Sequence, residues 1–137
     1  MAENNLTLKI YNPSGLQLET PVGSVYFQSS EGQIGVLGQH AAYSGTLGIG
    51  ILEYKTDSES STRRCVVSDG VCEVNGNVLA ILADQVDFPD RIEMSKLEDE
   101  RLKLTERLLF AGITPAEEAL LNKKLARIIA CEKLLSN

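Results

Sequence analysis

The sequence predicts an α+β chain in two parts: an N-terminal antiparallel β-sandwich over residues 1–88, then a C-terminal antiparallel two-helix hairpin over residues 89–137. Three observations predict it. Ten of the eleven glycines lie before residue 90, among short segments in which apolar and polar residues alternate. After residue 90 the composition turns to Leu, Glu, Lys, Arg and Ala, and the apolar spacing becomes helical. The charge divides at the same point. Residues 1–90 carry four basic and eleven acidic side chains, net −7, and residues 91–137 carry nine basic and eight acidic, net +1.

In the first part Leu6, Leu8 and Ile10 alternate with Thr7, Lys9 and Tyr11, the two-residue period of a half-buried strand. Asn12-Pro13-Ser14-Gly15 is a turn signal, and Leu16–Glu19 resumes the alternation. Further strands are expected at Ser24–Gln28, Gln33–Leu37, Ile49–Tyr54, Arg63–Val67, Val71–Val74 and Val78–Leu82. Turns are expected at Ser30-Glu31-Gly32, Ser68-Asp69-Gly70 and Asn75-Gly76-Asn77. The last suits a tight hairpin, because Asn and Gly accept positive φ. Short strands at intervals of about 8–12 residues point to a sandwich or barrel.

In the second part Thr114-Pro115-Ala116-Glu117 has the form of a capping box with Pro in the first helical position. Leu121, Leu125, Ile128, Ile129 and Leu135 then recur at helical spacing, interrupted by Glu132. The preceding helix starts at Asp90 or at Ser95, each with a Glu three residues on. It places Met94, Leu97, Leu104 and Leu108 on one face, broken by Arg101. Gly112 suits a left-handed helix end, and so short a connector makes the helices antiparallel. A lone helical pair buries little, so this one should rest on the sandwich, on another subunit, or on each in turn.

Composition excludes several classes. At 137 residues a single compact unit buries roughly 68–70% of its unfolded surface, enough for a core without metals or disulfides. Mean hydropathy is −0.05, and no apolar run approaches the ~20 residues a bilayer requires. The first residues lack a basic region followed by an apolar stretch, so no secretory signal is expected. Three cysteines without metal-ligand spacing suit a reducing compartment. A net charge of −6, 5% aromatic residues and no Trp argue against nucleic acid.

Signs of catalysis are sparse. His40 is the sole histidine and has no recognisable orienting carboxylate or oxyanion site nearby, so it reads as a loop contact residue. Gly32, Gly35 and Gly38 lack the Lys-Ser/Thr of a phosphate loop and read as turn glycines. Asp84, Asp87 and Asp90 flank Pro89 and read as a solvated hinge rather than a metal site. Cys65 and Cys72 lie in strand patterns and read as small core residues. Lys123, Lys124 and Arg127 fall on one turn, where their mutual repulsion favours an anionic partner.

The run Ser30-Glu31-Gly32-Gln33-Ile34-Gly35-Val36-Leu37-Gly38-Gln39-His40-Ala41 closely resembles a loop of the epsilon subunit of bacterial rotary (F-type) ATP synthase, departing at Gly38-Gln39, where that family has Pro-Gly. Leu47–Leu52, Ser68–Val74 and Asn77–Asp84 resemble later motifs of the same family in the same order. The resemblance implies a non-catalytic central-stalk subunit that couples ion-driven c-ring rotation to ATP synthesis and inhibits ATP hydrolysis through its helices. It implies gamma, the c-ring and the catalytic α/β head as partners. It also implies a peripheral place at the cytoplasmic face of the bacterial inner membrane, reached through the complex alone. Glu31 and His40 are then contact residues for the c-ring, and Lys123, Lys124 and Arg127 dock the hairpin on the head. Some members bind regulatory ATP on the hairpin. The matching positions here are Ile92, Glu93, Lys96, Lys124 and Arg127, with Lys standing where the family has the forked Arg, so no cofactor is required and ATP would bind weakly. From the residues alone, the alternative is a stand-alone sandwich adaptor that dimerises through its hairpin.

Overall fold

The computed structural model describes residues 6–38, 42–56 and 61–136. Eight strands come first: β1 (Leu6–Asn12), β2 (Gly15–Val22), β3 (Ser24–Ser29), β4 (Gly32–Leu37), β5 (Tyr43–Leu47), β6 (Gly50–Lys55), β7 (Thr62–Asn75) and β8 (Val78–Asp87). A 3₁₀ turn at Pro89–Arg91 leads into α1 (Met94–Leu108) and α2 (Pro115–Ser136). The sandwich followed by a helical hairpin is the architecture expected from the sequence.

The strands run β2-β1-β8-β7-β5-β3-β4, with β6 bridging β3 and β7. All pairs are antiparallel except β1 with β8. The alternating apolar residues close one core: Leu6, Leu8 and Ile10 of β1 meet Val25, Phe27, Leu52, Cys65, Val67, Leu79 and Ile81. Phe27 and most of these side chains have no solvent exposure, which is where the sandwich gains its stability.

Two local expectations fail for one reason each. Tyr43–Leu47 forms a strand that hydropathy does not announce, because Leu47 is its only buried residue and Ser44 and Gly45 add no apolar signal. Ser68-Asp69-Gly70 is not a turn between strands but a corner inside the 14-residue β7. Asp69 and Gly70 take φ of 53° and 131° there. Before the corner Cys65 and Val67 face the sandwich core, and after it Cys72 and Val74 do. The register with β8 is nonetheless the same on both sides, from Val66↔Asp87 to Val74↔Leu79. The inward face therefore changes from odd to even residues without a slipped pairing. Val66 is freed to point out of the sandwich, toward the helices.

The hairpin lies against β6 and β7 through α2. Its own core joins Leu97 and Leu104 of α1 to Leu121, Ile128, Cys131 and Leu134 of α2, and Val66 and Ile51 are what the sandwich adds. Ile129, Leu135 and Met94, expected in the buried stripe, are exposed, and Cys131 and Leu134 are buried in their place. The two polar interruptions of the stripes, Arg101 and Glu132, pair with each other across the hairpin.

α1 begins between the two expected starts, with Glu93 at its N-cap and no side-chain cap bond. α2 begins as expected: the Glu117 N–H donates to Thr114 Oγ1 at 3.1 Å. The Glu117 carboxylate does not turn back to complete the capping box. It accepts from Arg107 Nε at 2.7 Å and Nη2 at 2.9 Å, because the bidentate fork of a guanidinium outcompetes a single backbone N–H. Gly112, at φ 87°, shapes the connector beneath that bridge.

Candidate functional site: the junction between hairpin and sandwich

The site grows from the end of β8. β8 changes its inward face beside the β7 corner, from Ala83 to Val86, so Gln85 and Asp87, paired with Ser68 and Val66, lie on the side on which Val66 emerges, beneath α2. Asp87 was expected to be solvated, but β8 extends through it and α2 covers it, so its side chain is only 11% exposed. Arg127, one helical turn before Cys131, reaches it with both sides of its fork: Nε to Oδ2 at 2.8 Å and Nη2 to Oδ1 at 2.7 Å. Nη1 donates to Glu100 Oε2 of α1 at 3.4 Å. The Gln85 amide oxygen, turned toward the guanidinium, accepts from Nε and Nη2 at 3.1 Å. A charged fork with this many acceptors, itself 19% exposed, is held more firmly in its charged form than an ordinary arginine, chiefly by the Asp87 hydrogen bonds.

The other basic residues of the turn behave differently. Lys123 Nζ lies 3.7 Å from Asp69 Oδ2, the residue at the β7 corner. Lys124 pairs with no carboxylate among the described residues and lines a cavity of about 590 Å³ between hairpin and sandwich. Ser68, buried at the corner, lines the same cavity, and its hydroxyl has no hydrogen-bond partner among the described residues. The three residues of one turn thus have three environments: a paired and part-buried Arg127, a loosely paired Lys123 and an open Lys124.

The proposed nucleotide positions are partly brought together. Ile92, Glu93, Lys96 and Arg127 line one cleft of about 230 Å³, along with Asp87 and Glu100. Lys124 lies outside it, in the larger neighbouring cavity. Lys96 is within 3.4 Å of Glu93, and Arg127 is taken up by Asp87. Of the three cations that line the cleft, Lys96 and Arg127 are engaged by carboxylates, and Arg91 lies over the Phe88 ring, 5.1 Å from its centroid.

Cys131 sits at the same junction with no solvent exposure. Burial, with the nearby Asp87 carboxylate, pushes its thiol up to about 12. Burial does the same for Cys65, inside the sandwich. All three cysteines are free and buried, as small core residues should be.

Glu31 is exposed in the turn between β3 and β4. The turn is set by buried Ser29, whose Oγ accepts from the Glu31 N–H at 3.1 Å and donates to the Gly32 carbonyl at 2.8 Å. His40 lies outside the described residues. Among those described, no group of His, Cys, Asp and Glu side chains is placed to hold a metal ion, and no helix is long and apolar enough to cross a membrane.

A family model, the β-sandwich domain of the ATP synthase delta/epsilon chain, matches residues 5–88. A chloroplastic ATP synthase epsilon chain of Bigelowiella natans is 34% identical over 131 residues, covering 96% of this chain and 95% of that relative. The chain belongs to the ATP synthase epsilon-chain family. The ATP synthase epsilon chain of Pelotomaculum thermopropionicum is 30% identical over 108 residues, 79% of each chain. In fold, this epsilon-family chain is similar to one in the Euglena gracilis mitochondrial ATP synthase, with a TM-score of 0.80 and 22% identity over 96% of this chain and 81% of that one.

Sequence reasoning missed two residues of the junction in this epsilon-family chain. Asp87 was hidden by its place beside Pro89, which read as linker. Asp69 was hidden by a Ser-Asp-Gly run, which read as a turn. The excess of acid before residue 90 was the one signal that could have led to them.

Proposed function

We propose that this chain is a non-catalytic central-stalk subunit of an ATP synthase. Its sandwich couples rotation of the c-ring to the catalytic α/β head through gamma, and its hairpin restrains ATP hydrolysis. The observation that carries the reading is the junction itself. Arg127 and Lys123, two of the three residues proposed to dock on the head, are engaged by Asp87 and Asp69 of the sandwich. One arginine cannot hold Asp87 and an acidic surface elsewhere at once, so the folded-down and docked states exclude each other. Inhibition then requires only that the head bind the released hairpin better than the sandwich does.

Glu31, in its Ser29-braced turn, and His40 are proposed as c-ring contacts. Lys124, open at the rim, is proposed to meet the head first. The complex lies at the cytoplasmic face of the bacterial inner membrane, and this chain reaches the membrane only through it. No cofactor is required. ATP in the cleft beside Arg127 would meet Asp87, Glu93 and Glu100, and it binds weakly because carboxylates already engage two of the three cations there, Lys96 and Arg127. The adaptor reading has less support, since Leu97, Leu104, Leu121 and Ile128, part of the hairpin face it would use for dimerisation, are buried within the chain.

Removing residues 91–137 tests the reading. The truncated sandwich keeps its own core and, reconstituted with gamma and the catalytic head, is expected to give higher ATP hydrolysis than the full chain. Equal rates for the two would count against restraint by the hairpin.

A further inference from the structure

We propose that the Asp87–Arg127 pair is a latch that holds the hairpin folded on the sandwich, and that neutralising it releases α2 while leaving the sandwich intact. The latch deepens the reading above and depends on its two-state hairpin.

The geometry argues for it in three steps. First, the apolar seal between the two parts is narrow. The hairpin buries its Leu, Ile and Cys residues mainly against each other, and the sandwich contributes Val66 and Ile51. Second, the principal polar tie across the seam is one part-buried ion pair. Its partners are 40 residues apart in sequence and are 19% and 11% exposed, so solvent screens them far less than the exposed Lys123–Asp69 contact at 3.7 Å. Third, Asp87 is the last residue of β8 and stands directly before the segment joining sandwich to hairpin. A tie at that point holds the hairpin where it pivots. Removing the carboxylate strands the Arg127 guanidinium with only Glu100 of its own hairpin and the neutral Gln85. A stranded buried charge is costly, and the nearest relief is for α2 to leave the surface.

Cys131 is a natural reporter of that motion. It has no exposure beneath α2, one turn beyond Arg127, and Cys65 and Cys72 are equally hidden inside the sandwich. The full chain is treated with N-ethylmaleimide at neutral pH, and labelling of each cysteine is followed by peptide mass spectrometry. In Asp87→Asn, Cys131 is expected to label on the order of tenfold faster than in the unsubstituted chain, which corresponds to about 1.4 kcal/mol in the opening equilibrium. Cys65 and Cys72 are expected to keep their slow rates. Arg127→Gln breaks the same tie from the other side and removes a charge that favours the Cys131 thiolate, so faster labelling there reports opening rather than easier ionisation. It is expected to do likewise and carries the test should Asp87→Asn fail to fold; a rise in Asp87→Asn alone also overturns the latch. An unchanged Cys131 rate overturns the latch. So does a parallel rise at all three cysteines, because Asp87 would then hold the whole fold rather than the hairpin. The measurement uses the isolated chain. A chain that opens on Asp87→Asn but whose truncation leaves hydrolysis unaltered would therefore retain the latch and lose only the brake.

Discussion

Gly70 shows how much of this fold can depend on one missing side chain. At φ 131° it occupies a region L residues rarely enter, and a Cβ there would overlap the Leu82 carbonyl oxygen and lie 2.9 Å from the Ala83 Cα. Those atoms are backbone of the neighbouring strand and cannot move aside without breaking its ladder. Gly70→Ala is expected to destabilise by roughly 3 kcal/mol or more, read as a fall in the urea midpoint. Asp69→Gly, one residue earlier and also at positive φ, is expected to change stability by less than about 1 kcal/mol, because glycine adopts that conformation freely. The position was legible as glycine-requiring, but its role was not. Ser-Asp-Gly has the composition of a reversing turn, and only pairing with β8 on both sides reveals a strand that bends and continues. At the same scale Arg127 could be singled out by its basic neighbours, whereas its partner is a contact that no local pattern records.

Among the elements, the hairpin was the most readable. Its cap, its glycine and its apolar spacing are all local signals, and the Thr114 bond to the Glu117 N–H is present as expected. Thr114→Ala is expected to cost about 1 kcal/mol, seen as faster amide exchange in the first turn of α2 with little change in β1 or β8. Local signals failed where two elements had to meet. Glu117 belongs to Arg107 of α1 rather than to its own cap. Ile129 and Leu135 fit the helical period but stay exposed, Ile129 in an open groove beside Ile49 and Ile51, because the sandwich covers only part of the circumference of α2. Periodicity announces an apolar face, and the neighbour decides how much of it is covered. β5 was missed for the complementary reason: its place is secured by backbone pairing with β7, and its sequence carries almost no apolar alternation.

For the whole molecule, the opposed charges of the two parts were visible in composition, and the structure uses them inside the chain. The −7 and +1 halves meet at Arg127–Asp87 and Lys123–Asp69. Global stability should also follow pH in a defined direction. Cys65 and Cys131 ionise near 9 when unfolded and hold their protons to about 12 when folded. Above pH 9 the unfolded chain therefore sheds protons that the native chain keeps, so stability is full below pH 9 and declines as pH rises toward 12. By pH 10 the loss is expected to be on the order of 1 kcal/mol per thiol, measured as a lower urea midpoint than at pH 8. Cys131→Ala should flatten part of that decline.

The stretch between the last residue of β8 and the first of α1, Phe88 to Glu93, is only six residues long. Fully drawn out, six residues reach about 20 Å, less than the length of α2. An undocked hairpin is consequently on a short leash. It can swing through a wide arc around the rim of the sheet but cannot wander off, so whatever it meets must already stand beside that rim.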